Sequence, residues 1–134
     1  MNGKFPIAIH IMTLLCYQAE QLSSDFIAGS LNVNSVLVRK ALKELIAGGL
    51  VISKEGKNGG YQLSRPATDI QLSEIYRSVQ QNALLGTTRN LPNPDCPVGR
   101  QIAGQLDRLY QEVDAALQKK LAQKSLQTFC NQFH

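Results

Sequence analysis

Residues 23–64 read SSDFIAGSLNVNSVLVRKALKELIAGGLVISKEGKNGGYQLS, and the breaks within this stretch decide the fold. Ser23, Ser24 and Asp25 are N-cap residue types placed just ahead of Phe26, Ile27, Ala28 and Leu31, which share one helical face. A short helix starts there. Asn32-Val33-Asn34-Ser35 then interrupts and restarts the chain, because Asn tolerates left-handed backbone and both Asn34 and Ser35 can cap a second helix. That helix is predicted from about Ser35 to Ala47, with Val38, Leu42, Leu45 and Ile46 facing inward and Arg39, Lys40 and Lys43 largely on another face. Gly48-Gly49 ends it. Leu50–Ser53 has strand character, Lys54–Gly60 holds three glycines and two lysines, and Tyr61–Ser64 alternates again as a strand. The result is a β-hairpin with a basic, glycine-rich tip.

On the N-terminal side, apolar residues recur at helical spacing between Phe5 and Tyr17, and Pro6 sits where a first helical turn tolerates it. The lysine ahead of this apolar run gives it a superficial likeness to a signal peptide. It lacks a small-residue cleavage site and is patterned as an amphipathic helix, so it reads as part of the mature protein. On the C-terminal side, Pro66 closes the hairpin and Leu72–Val79 forms a short helix. Residues 80–97 are irregular, with Pro92, Pro94 and Pro97 excluding a continuous helix. Beyond them Val98, Ile102, Leu106, Leu109, Val113, Leu117 and Leu121 trace one apolar stripe along a single long helix.

The predicted organisation is therefore mainly α with a small β-hairpin. Residues 1–80 form a winged helix-turn-helix domain, 81–97 a loop or linker, and 98–134 a long dimerisation helix with a C-terminal tail. A chain of 134 residues suffices for one such unit plus an extension, and its composition, 43% hydrophobic and 18% charged, fits neither a disordered nor a membrane protein. A stripe on a helix appended to a complete domain needs a cover, and a second copy of the chain supplies one through Ile102, Leu106, Leu109, Val113, Leu117 and Leu121. Folding back of the same stripe onto its own winged domain would instead leave a monomer.

Helix, helix, tight turn, helix and two-stranded wing is the order of a DNA-binding winged helix-turn-helix. The net charge of +4 agrees, and the excess lies before residue 66, where seven Lys/Arg face four Asp/Glu, against seven and six in the remainder. The helix after the turn enters the major groove in that architecture, so Asn34, Ser35, Val36 and Arg39 are the candidate base-edge contacts and Lys40 and Lys43 the candidate phosphate contacts. Lys54, Lys57, Asn58, Gly59, Gly60 and Tyr61 belong to the wing, whose glycines let backbone approach the duplex closely; Glu55 is the one opposing charge there. Gly59 and Gly60 also suit a tight hairpin with no DNA near it. Ser23 and Ser24, at a helix N-terminus, are placed to hold a phosphate on backbone N–H groups.

Ser24–Ala28, Leu31–Asn34, Val38-Arg39-Lys40, Leu42–Leu45, Gly49-Leu50-Val51, Lys57–Leu63 and Leu72–Tyr76 together resemble the Rrf-two (Rrf2) family of regulators, the group containing IscR, NsrR and CymR. The G-x-GGY-x-L wing behind its G-L-V strand carries most of that likeness. The resemblance implies a winged-helix homodimer crossed by the long C-terminal helices, acting in the cytoplasm at near-palindromic promoter sites; a repressor is the expected sense of regulation. Members that sense through an iron-sulfur cluster carry three cysteines close together before the long helix, where this chain has Cys96 alone. It is similar in this to the cluster-free YwnA-like branch, and neither a cofactor nor a metal is expected.

Cys16, Cys96 and Cys130 lie far apart, with no CxxC spacing, which suits a reducing compartment. Cys96 is the candidate redox sensor, with Arg100 one turn onward and a helix N-terminus beside it, against the plainer reading of an inert thiol. Cys16 reads as a packing residue, and Cys130, near an end expected to fray, as a site of incidental disulfides. His10 and His134, at opposite ends, offer no paired metal ligand and no general base; with no Ser/His/Asp set and no P-loop the chain does not read as an enzyme. The competing function is a winged-helix protein-interaction module without DNA binding. The loop from Leu84 to Pro97 is the candidate effector-responsive segment, by its position between DNA module and dimer helix.

Overall fold

A computed structural model describes residues 3–80 and 90–134. Its elements run α1 (Lys4–Gln18), α2 (Ser24–Leu31), α3 (Ser35–Ala47), β1 (Val51–Lys54), β2 (Gly60–Leu63), a 3-10 turn (Ala67–Asp69), α4 (Leu72–Val79), α5 (Pro97–Ala122) and α6 (Leu126–Cys130).

Local chemistry sets the helix ends. Ser23 Oγ accepts the Phe26 amide at 3.1 Å and caps α2, which ends on Asn32 in the left-handed region at φ 54°. Asn34 Oδ1 accepts the Val36 amide at 2.8 Å and caps α3. Strands β1 and β2 pair antiparallel, Val51 opposite Leu63 and Lys54 opposite Gly60. Leu22 adds a single-residue bridge on the other side of β2: its amide donates to the Tyr61 carbonyl at 3.0 Å and its carbonyl accepts the Tyr61 amide at 2.8 Å.

Ile11 and Met12 from α1, Ile27 from α2, Val38, Leu42 and Leu45 from α3, Leu50, Ile70, and Ile75 and Val79 from α4 form one solvent-excluded core. Full burial of each such side chain stabilises by roughly 1.5–3 kcal/mol against exposure. The buried Thr13 hydroxyl donates to the Ile9 carbonyl at 2.6 Å, so it adds no unsatisfied group.

The C-terminal tail departs from expectation. Instead of fraying, the chain turns after α5 and lays α6 against α1, with Leu126 fully buried and Cys130 5% exposed. Backbone bonds fasten it: the Leu126 amide donates to the Ile70 carbonyl at 2.7 Å and the Leu72 amide to the Lys124 carbonyl at 3.0 Å. Ser125 caps α6, its Oγ accepting the Thr128 amide at 3.1 Å. The winged domain thus takes part of its core from beyond the long helix, and Cys130 is not at a loose end.

Helix α5 begins at Pro97, in the N1 position where its missing N–H costs nothing. None of its residues is buried. Its C-terminal half rests on α4: the Tyr76 hydroxyl donates to Asp114 Oδ1 at 2.9 Å and Gln118 Nε2 donates to Asp114 Oδ2 at 2.7 Å. Burial and the bond to Asp114 push the Tyr76 phenol up to about 12, which keeps it the donor. Part of the stripe therefore does fold back on its own domain, through Leu121, while Leu109 and Val98 stay exposed. Of the predicted linker, residues 81–89 lie outside the described residues, and with them residues 84–89 of the candidate effector loop.

Candidate nucleic-acid interface

The outer face of α3 is open to solvent. Val38, Ala41, Leu42 and Leu45 turn inward, which leaves Val36, Leu37, Arg39, Lys40 and Lys43 exposed on the remaining faces. Val36 is 60% exposed, a large apolar side chain kept in solvent at the first turn. Ser35 is half-buried beside it, and Asn34 commits its side-chain oxygen to the cap, so its NH2 group is the part left to address a ligand. At the start of α2 the Ser23 oxygen is likewise used in capping, and Asp25 in the first turn sets a negative charge at that helix end.

The wing projects Lys54, Lys57 and Asn58 into solvent, with Glu55 among them. Gly59 and Gly60 answer to geometry. A Cβ on Gly59 would sit 2.2 Å from the Lys54 carbonyl oxygen, and one on Gly60, whose φ is +152°, 2.7 Å from the Leu22 carbonyl oxygen. Tyr61 is half-buried against the core and carries the rung to Leu22, so its backbone positions the wing while its side chain supports it.

The base of the wing is clamped to α4. Arg65 Nε donates to the Asp69 carbonyl at 3.0 Å, Nη1 reaches the Gly49 carbonyl at 3.4 Å, and Nη2 pairs with Glu74 Oε1. Glu74 Oε2 in turn accepts the Gln71 amide at 2.8 Å, closing the first turn of α4. Burial pushes the Glu74 carboxyl up, but the Gln71 N–H and the Arg65 guanidinium outweigh it and hold the group below its usual value. Nothing in the sequence announces this clamp, because Arg65 and Glu74, nine residues apart across a turn, carry no periodic signal.

Cys96 is exposed and occupies the N-cap of α5. His10 is exposed on α1. Among the described residues no three His, Cys, Asp or Glu side chains gather where a metal ion could be held. Residues 81–89, QNALLGTTR, contain none of those four types.

The Rrf2 family, described as iron-dependent transcriptional regulators, matches residues 1–132. YwnA of Bacillus subtilis (strain 168), whose name describes an HTH-type transcriptional regulator, is 37% identical over 131 residues, 98% of this chain and 97% of its own length. A crystal structure described as that of a DNA-binding protein shares 36% identity with a TM-score of 0.76, covering 94% of this chain and 97% of that one. CymR (YrzC), the global cysteine regulator of B. subtilis, aligns over 100% of this chain and 98% of its own with a TM-score of 0.72; at 19% identity the likeness is one of fold. Among the described residues the iron in the family description finds no matching donor set. Cys96 stands alone before α5, and Cys16 and Cys130 lie at the α1–α6 contact, so the three do not fit a cluster held by neighbouring thiolates.

Proposed function

The chain belongs to the Rrf2 family of transcriptional regulators, winged-helix proteins that bind DNA; from that premise we propose that it represses transcription as a homodimer bound to a near-palindromic operator. The observation that carries the reading is the outer face of α3. Val36 and Arg39 stand exposed beside a wing that presents Lys54 and Lys57, a combination suited to a thymine methyl, a guanine edge and flanking phosphates. Arg39 and Val36 read bases, with Ser35 and the Asn34 NH2 beside them, while Lys40, Lys43, Lys54, Lys57 and Asn58 hold phosphates and the Ser23-Ser24 helix end sits against the backbone. Gly59, Gly60 and Tyr61 set the wing's approach.

The apolar stripe of α5 is the dimer surface, from Ile102, Leu106 and Leu109 through Val113 and Leu117, with Leu121 at its end packed on its own domain. A symmetric pair of recognition helices one turn of DNA apart then matches a two-fold operator. The protein acts in the cytoplasm without a cluster and without catalytic activity, and Cys96 is its exposed thiol for an oxidative signal. The absence of a cluster is checked by the visible spectrum of protein purified without oxygen, where iron-sulfur charge-transfer bands would refute it.

Fluorescence anisotropy on promoter DNA from beside its own gene tests the main reading. Binding that is specific, falls steeply with salt and depends on Arg39 supports it, and an oxidant effect abolished by Cys96→Ser assigns the signal. Failure to bind that DNA or any member of a broad duplex library transfers the reading to a protein-interaction module.

A further inference from the structure

The contact between the first and last helices brings two of the three cysteines together. Thr13 and Cys16 are one turn apart on α1, and Gln127 and Cys130 one turn apart on α6. The two turns face each other. Cys16 Sγ donates to Gln127 Oε1 at 3.7 Å and Cys130 Sγ donates to the Thr13 carbonyl at 3.9 Å, and Cys130 is near enough to the Cys16 thiol to help push it up. Their exposure differs. Cys130 is buried, whereas Cys16 is half-buried and lines a cleft of about 400 Å³ together with Glu20, Gln62, Leu63 and Gln127. The outer thiol meets solvent and the inner one stands behind it.

We propose that Cys16 and Cys130 form a reversible intramolecular disulfide by exchange with a small-molecule disulfide entering the cleft beside Cys16. Cys16, deprotonated to its thiolate, attacks one sulfur of the small disulfide; the S–S bond breaks and a small thiol leaves with a proton. Cys130, giving up its own proton, then attacks Cys16 Sγ and expels the second small thiol. Two protein thiols are oxidised, one small disulfide is reduced to two thiols, and the two protons end on those thiols. The link ties α6 to α1 across a loop of more than a hundred residues, the span that removes most freedom from the unfolded chain. Burial, with the neighbouring Cys130 second, pushes the Cys16 thiol up to about 12. Exchange is consequently slow at neutral pH and quickens as pH rises, so the bond answers a sustained oxidising state. Cys96 takes no part: it lies at the other end of α5, whose 26 residues span roughly 39 Å.

The test uses the full chain carrying Cys96→Ser, which removes the competing exposed thiol, incubated with oxidised glutathione from neutral to mildly alkaline pH. A non-reducing peptide map should join the Cys16 and Cys130 peptides, the intact mass should fall by two hydrogens, and the thermal midpoint should rise by roughly 10 °C, all reversed by dithiothreitol. The reading depends on the chain with both thiols present; Cys16→Ala, which removes only the outer sulfur, should abolish link and rise together. Two thiols left intact across the series, or a stable glutathione adduct on Cys16 with no transfer to Cys130, would overturn the proposal.

Discussion

Gly60 and Arg39 show how differently single residues contribute. At Gly60 the backbone passes so close to Leu22 that a methyl group has nowhere to go, and its φ of +152° strains any L side chain. Gly60→Ala is expected to cost roughly 1–3 kcal/mol in urea unfolding, by breaking the rung between Leu22 and Tyr61. Gly104→Ala, on the surface of α5 with nothing within 4 Å of its Cβ, should instead stabilise the helix by up to about 1 kcal/mol. Arg39→Ala should leave unfolding unchanged, since the side chain is exposed, yet weaken operator binding by roughly tenfold to a hundredfold and flatten the salt dependence. The glycine pair was ambiguous in sequence because a tight hairpin and a close approach to DNA ask for the same residue. Gly59 answers to the Lys54 carbonyl within the hairpin itself, and Gly60 to Leu22, thirty-odd positions upstream, which no local pattern points to.

Among the elements, α3 was legible from Ser35 to Ala47 because Asn34 and Gly48-Gly49 mark both ends in the sequence itself, and α4 because Leu72–Val79 is short and strongly patterned. Helix α6 is not legible in the sequence although Ser125, Leu126, Phe129 and Cys130 have the spacing of a capped apolar face; five residues after a long helix look like fraying unless the α1 surface they cover is known. The clamp of Arg65 on Glu74 joins wing to α4, and α4 joins to α5 through Tyr76 and Asp114, so α4 is the piece through which hairpin and long helix touch. Because the folded Glu74 carboxyl titrates below its ordinary value of 4.5, its contribution is complete above that pH and is lost as pH falls through the lower folded value. Glu74→Gln should therefore be less stable than the parent near neutrality, and the two should converge in acid, as followed by thermal melts across pH.

For the whole molecule the apolar stripe of α5 makes the sharpest prediction. Leu109 is 48% exposed in the single chain, so Leu109→Asp should preserve the far-ultraviolet spectrum while halving the mass seen by sedimentation equilibrium. Operator affinity should fall roughly a hundredfold or more once the two reading heads are no longer linked. A mass unchanged by that substitution would place the subunit contact elsewhere.

The closure of α6 on α1 also orders events during biosynthesis. Helices α1 to α4 leave the ribosome first and hold most of the core, but the space filled by Leu126 stays open until residues near the end have emerged. Contacts this distant along the chain close late and slowly. A chain cut short within α5 therefore carries a winged domain with an uncovered apolar seam on α1, and only the arrival of α6 covers it.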